Sequence, residues 1–134
     1  MTRWWFAVLG TPALARAVWR VRRSARLPID RRAERLRAVP RFRWGALAVA
    51  ARWSGVAGRL AGLLPVDGGP CLRRALVLLD LHARCGLEPR LELAVRRPEA
   101  GGERVQGHAW LSTDDGPRRA AEQGAGGWQQ IVRL

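Results

Sequence analysis

The sequence predicts an α+β chain, with helices first and then one strongly patterned helix packed on a small antiparallel sheet. Three observations lead there. Before about residue 65, apolar residues recur at helical spacing between Arg-rich stretches. Residues 71–85 carry Leu72, Ala75, Leu76, Leu79 and Ala83 along one helical face and stop at Gly86. Beyond that glycine, short runs alternate apolar and polar residues with the period of a strand.

The elements follow in order. Trp5, Val8, Leu9, Pro12, Leu14 and Val18 mark a first apolar-faced helix that runs into the basic stretch 20–26 and breaks at Pro28. Asp30 is the expected cap of a second, short helix over 31–39, stopped by Pro40. A third spans 42–64, weakened by Gly45, Gly55, Gly58 and Gly62 at about 1 kcal/mol each. Residues 66–70 read as a turn, and the helix over 71–85 begins directly after it. Gly86 sits where a left-handed C-terminal glycine belongs. Strands are expected over 90–96, 105–112 and 127–133, with a hairpin loop at 98–102 and a turn at Asp115-Gly116-Pro117. The composition shift near residue 66 divides the chain into a helical, Arg-rich region, 1–65, and a mixed region, 66–134.

The 134 residues suit one domain able to bury a core without disulfides or metals. The charge is extreme: 24 basic residues against 11 acidic give a net +13. All the basic residues are Arg, and Lys, Asn and Tyr are absent. The missing residues have AT-rich codons, so part of the Arg excess reflects a GC-rich coding sequence. That weakens nucleic-acid binding as an explanation. The charge still attracts acidic peptides, acidic protein faces and anionic lipid. No uninterrupted run reaches the ~20 apolar residues of a membrane span. The apolar run 4–10 is at the lower limit for a signal peptide and is soon followed by Arg16, Arg20, Arg22 and Arg23. Cys71 and Cys85 on one helix stand about 21 Å apart at ~1.5 Å per residue, too far for a disulfide. Two free thiols and a reducing, cytoplasmic compartment are expected.

Cys71 and His108 are the residues with chemistry. A thiol attacks as its thiolate, which the unpaired N–H groups and partial positive charge of a helix start favour. Cys71 opens the patterned helix, and Pro70 suits its first position. A base must come within hydrogen-bond reach. His108 lies on a later strand between Gly107 and Ala109, whose small side chains leave room for a substrate. Singly, such a Cys is usually an apolar filler and such a His a structural one; their spacing together is what suggests a nucleophile and its base. Cys85, at the disfavoured end of the helix dipole, reads as core, and His82 as a residue of the helix flank or of the last turn, without chemistry. Zinc is disfavoured, because Cys71 and His82 are about 16 Å apart along one helix and no CxxC pair exists.

The run Gly69-Pro70-Cys71-Leu72-Arg73-Arg74-Ala75-Leu76, the helix end at Gly86, the strand leading to Arg96-Arg97-Pro98 and the segment Gly107-His108-Ala109-Trp110-Leu111 together resemble the leader peptidases of lasso-peptide biosynthesis, a family of transglutaminase-like cysteine proteases. The resemblance covers roughly residues 66–116. It implies a transglutaminase/papain-like core and a peptidase that removes the leader from a ribosomally made precursor before macrolactam ring closure. Cys71 would be the nucleophile and His108 the base, with the backbone N–H groups of Cys71 and Leu72 as oxyanion donors and no cofactor or metal. Implied partners are the precursor's leader region, a separate small leader-recognition protein and a cyclase similar to asparagine synthetase. Region 1–65 would be the docking surface, with a weak membrane-surface contact also open to its helices. Nucleic acid is not among the expected partners.

The chain departs from the family at one point. The family carries an Asp about a dozen residues after the His, and residues 117–124 here contain none. Glu122 is the candidate third member, with Asp115 as the alternative. The departure also keeps open a catalytically weak or inactive protein that binds the precursor or its recognition partner.

Overall fold

The computed structural model describes residues 2–38, 69–96, 106–112 and 128–134, together with positions 59 and 63. Among them, three helices lead into a three-stranded antiparallel sheet: α1 (Thr2–Arg23), α2 (Ile29–Arg37), α3 (Pro70–Arg84), β1 (Leu91–Arg96), β2 (Gln106–Leu111) and β3 (Trp128–Arg133). The architecture is the α+β one expected. The helix expected over 42–64, the loop 98–102 and the turn 115–117 fall outside the described residues, save that positions 59 and 63 are helical.

α1 continues through Pro12 and carries Arg20, Arg22 and Arg23 in its last turn, where positive charge suits the negative end of the helix dipole. The carbonyls there are also closed from outside. Ser24 Oγ donates to the Val21 carbonyl at 2.9 Å, and Arg32 of α2 donates from Nε to Ser24 Oγ at 3.3 Å and from Nη2 to the Val21 carbonyl at 3.4 Å. Those bonds explain why an arginine, Arg32, is buried between two helices.

α2 starts two residues earlier than the sequence suggests. Its cap is Pro28, whose carbonyl accepts the Arg32 N–H at 2.9 Å, and Asp30 lies inside the first turn without capping it. The extended backbone of Pro28 already turns its carbonyl into the helix, and the Asp30 charge still suits that end.

α3 is the centre of the molecule. Gly69 caps it and Pro70 takes the first helical position. It ends as expected: Gly86 has φ 78°, the Leu87 N–H bonds the His82 carbonyl at 3.1 Å, and the Gly86 N–H bonds the Ala83 carbonyl at 3.0 Å. These are the two bonds of a Schellman ending, with glycine in the left-handed position. Burial departs from the one-faced expectation, since every residue from Ala75 to Arg84 is buried. The reason is position: α1 and α2 pack on α3 from one side and the sheet from another. One hydrophobic cluster joins Ala17 and Val21 of α1, Ala33 and Leu36 of α2, Leu76, Val77, Leu78 and Leu79 of α3, and Leu91, Ala109 and Leu111 of the sheet.

The sheet order is β2-β1-β3. β1 pairs β2 in regular register, with Glu92 opposite Trp110 and Ala94 opposite His108; its pairing with β3 shifts between Leu93 and Ala94. Leu91 and Leu134 exchange both backbone hydrogen bonds at 2.8 Å, which ties the chain's last residue to the start of β1. β1 does not alternate cleanly, because Leu91 and Glu92 are both buried, each on its own face of the strand.

Candidate active site

Cys71 occupies the second position of α3 and is half-buried. The local chain dictates what surrounds it. The Arg73 N–H already bonds the cap carbonyl of Gly69 at 3.0 Å, and Pro70 has no N–H. Of the donors a helix start leaves without an intrahelical acceptor, those on the helix itself are therefore the N–H groups of Cys71 and Leu72. A carbonyl oxygen developing negative charge next to the sulfur would meet two adjacent donors and the positive end of the helix dipole. Leu72, also half-buried, packs against the core and anchors this turn.

His108 lies in the middle of β2, half-buried. α3 packs on β2 more extensively than on β1, so the helix that begins with Cys71 borders the strand that carries His108. Within β2, Ala109 and Leu111 enter the cluster shared with α3. His108 and Trp110 alternate with them and so belong to the other face of the strand. Their rings stack, with centroids 5.6 Å apart and planes 29° from parallel. β2 and β3 are the outer strands of the three described.

Glu122 and Asp115 lie outside the described residues. Cys85 was expected in the core, but as the C-terminal cap of α3, past its last buried turn, it is only half-buried. Burial pushes its thiol up from the usual range, which fits an inert sulfur. His82 lies in the last turn of α3, one of the two places expected for it, and is buried there because residues 75–84 are covered on every side.

Three buried charged residues on α3 and β1, Asp80, Arg84 and Glu92, escaped the sequence reading. Asp80, fully buried on α3, receives a hydrogen bond from Arg84 Nε at 2.6 Å, and Arg20 Nε of α1 forms an ion pair with its other oxygen at 2.9 Å. Partial burial pulls the Arg20 guanidinium's pKa down and Asp80 pushes it back, yet an arginine stays charged in either case. Glu92, buried in β1, accepts bonds from Arg133 Nε at 3.0 Å and Nη2 at 2.6 Å on the same oxygen. The one sequence signal for either acid was an acidic residue within an otherwise apolar run.

Among the described residues, no helix is long and apolar enough to cross a membrane, and no three His, Cys, Asp or Glu side chains converge as metal ligands would. No curated protein and no solved structure matches the chain at significance. A family model does, over residues 7–132, and through it this α+β chain, whose cysteine-opened helix packs on a histidine-bearing strand, belongs to the transglutaminase-like superfamily.

Proposed function

We propose that the protein is a cysteine peptidase that removes the leader from a ribosomally made lasso-peptide precursor in the cytoplasm. The observation that carries this reading is Cys71, half-exposed in the first turn of α3 with two backbone donors beside it, on a helix packed against the strand of His108. Membership of the transglutaminase-like superfamily supports thiol chemistry. The assignment to leader removal rests on the resemblance of the residues around Cys71 and His108.

The steps follow from the groups. His108 takes the proton of Cys71, and the sulfur adds to the scissile carbonyl carbon at the end of the leader. The N–H groups of Cys71 and Leu72 hold the resulting oxyanion. The C–N bond breaks as His108 returns the proton to the leaving amine, which is the amine that ring closure needs. Water then attacks the thioester with His108 as base, the C–S bond breaks, and the leader acid leaves with the thiol restored. Glu122, or Asp115 in its place, would hold the imidazole in orientation. His108 alternates with the residues that face α3, so the proton transfer requires the imidazole to reach the sulfur from the other face of β2.

Region 1–65 is proposed as the docking surface for the leader-recognition protein and its precursor, with the cyclase acting next. Supporting it, α1 and the turn after it expose Arg16, Arg22, Arg23 and Arg26 beside Trp19, which is 56% exposed and has the Arg23 guanidinium 5.1 Å from its ring centre. Exposed Trp and Arg together are the composition of binding hot spots. Replacing Arg16 and Arg23 together by Glu is expected to weaken capture of the delivered precursor in a titration, and unchanged binding would remove this docking role.

The decisive experiment is cleavage of a precursor by purified protein with its recognition partner, followed by mass spectrometry. Cys71→Ala is expected to abolish cleavage and leave precursor binding intact. Full cleavage by that variant would end the reading. Binding without cleavage by the unaltered protein would assign it instead to the inactive, precursor-binding role.

A further inference from the structure

Trp110 of β2 is a costly residue to bury. It is only 4% exposed, and its indole Nε1–H is buried with no hydrogen-bond partner among the described residues. A buried indole usually finds an acceptor for its N–H, and an orphaned donor of this kind costs about 1–3 kcal/mol. A leucine or phenylalanine here would bury comparable apolar surface without that penalty. What the indole has and they lack in part is a large electron-rich face, and that face lies against the His108 imidazole, centroids 5.6 Å apart.

We infer that Trp110 is a positioning residue for His108, its indole face fixing the imidazole plane and favouring the imidazolium that a thiolate partner requires. The inference rests on the peptidase reading of Cys71 and His108. A stack engages the flat face of the imidazole and leaves both ring nitrogens at the perimeter, where proton transfer takes place. It also places a cation over a π face when His108 is protonated, the more so because the site is partly shielded from water. The register supplies the geometry. His108 and Trp110 sit two residues apart on one face of β2, opposite Ala94 and Glu92 of β1. The small Ala94 leaves the imidazole a gap to lie in, while Glu92, already held by Arg133, closes the row behind the indole. The charged groups on that face of β1 are Glu92 and Arg96, two residues either side of Ala94.

The test uses the full chain and iodoacetamide at neutral pH, with alkylation of Cys71 read by peptide mass separately from Cys85. His108→Ala is the control on the underlying reading and is expected to slow Cys71 alkylation strongly. Trp110→Leu keeps apolar bulk and loses the π face; it is expected to slow alkylation about fivefold. Trp110→Phe keeps an aromatic face and is expected to stay within about twofold of the unaltered protein. In NMR spectra the His108 ring protons are expected to lose their indole ring-current shift in Trp110→Leu. A slow His108→Ala together with equal rates for folded Trp110→Leu and Trp110→Phe would overturn the inference and leave the peptidase reading standing. An unchanged rate in His108→Ala would instead overturn the peptidase reading and the inference with it. Were Trp110→Leu to unfold, the folded Trp110→Phe variant decides alone: a loss there of fivefold or more refutes an aromatic-face role, and retention of rate supports it.

Discussion

The two ends of α3 differ in almost every physical respect, although they belong to one helix of 15 residues. At the front, residues 71–74 are half-buried, no side chain caps the first turn, and backbone donors are left over beside Cys71. At the back, residues 75–84 are buried on every side, both Schellman bonds are made, and charges are paired inside the protein. Each end also holds a cysteine. The contrast shows how a small domain can keep a reactive terminus open: the cohesion sits in the last ten residues of the helix, and the first turn is free to face a substrate.

Asp80 is where that contrast breaks most easily. Its carboxylate joins Arg84 of the same helix to Arg20 of α1, and it has no exposed surface. Removing Asp80 leaves the buried Arg84 charged without its partner, at a typical cost of about 3–5 kcal/mol, while Arg20 keeps some access to water. Asp80→Ala should therefore lower the denaturation midpoint by an amount of that order, while folded protein at low temperature keeps its Cys71 alkylation rate. A midpoint within error of the unaltered protein would show that the back of the helix does not depend on the cluster. Loss of the alkylation rate in folded protein would show that the two ends are not separable.

The same residue marks the limit of what the sequence discloses. The span of α3, its Pro70 start and its Gly86 stop were legible because capping and left-handed glycine are local properties. The three strands were legible from alternation and turn residues. That α3 is central was not, since periodicity reports only the most apolar stripe, and burial of the remaining faces depends on where α1 and α2 come to rest. Asp80, Arg84 and Glu92 drew no reading for that reason, and the burial of His82 in the last turn was not foreseen. Asp80 meets Arg20 from sixty positions earlier and Glu92 meets Arg133 from forty-one later, distances no local pattern spans. Cys71 and His108 could be picked out because each stands at a distinctive local place, a helix start and a Gly-His-Ala strand. The third member of the site has no such mark, and Glu122 and Asp115 both fall outside the described residues.

The two sulfurs sharpen the comparison by titration. Burial raises the Cys85 thiol above its ordinary range. At neutral pH it is expected to alkylate more slowly than Cys71, and its rate should keep climbing with pH beyond the range where an unfolded thiol has levelled off. The linkage has a definite sign. A raised folded-state pKa means the folded protein holds the thiol proton more tightly than the unfolded chain does, so the associated stability is present below the unfolded pKa and is lost as pH rises through the folded one. Cys85→Ser should flatten that alkaline decline. Equal alkylation of both cysteines at neutral pH would remove the distinction between the ends.

The smallest effect belongs to the last turn's backbone. Gly86 has φ 78°, and a Cβ built on it would meet nothing within 4 Å. The cost of Gly86→Ala is therefore conformational alone, about 1–2 kcal/mol for an L-residue held in the left-handed region, with no steric addition. Gly86→Asn should cost less, because its side chain tolerates that region. The pair isolates the Schellman ending from the packing around it. If alanine and asparagine destabilise equally, or if alanine costs as much as losing Asp80, then the ending contributes through contacts that φ alone does not describe. If both fall below the Asp80 effect in the stated order, the back of α3 is held first by its buried charges and only then by its glycine, and the front turn can stay open without help from either.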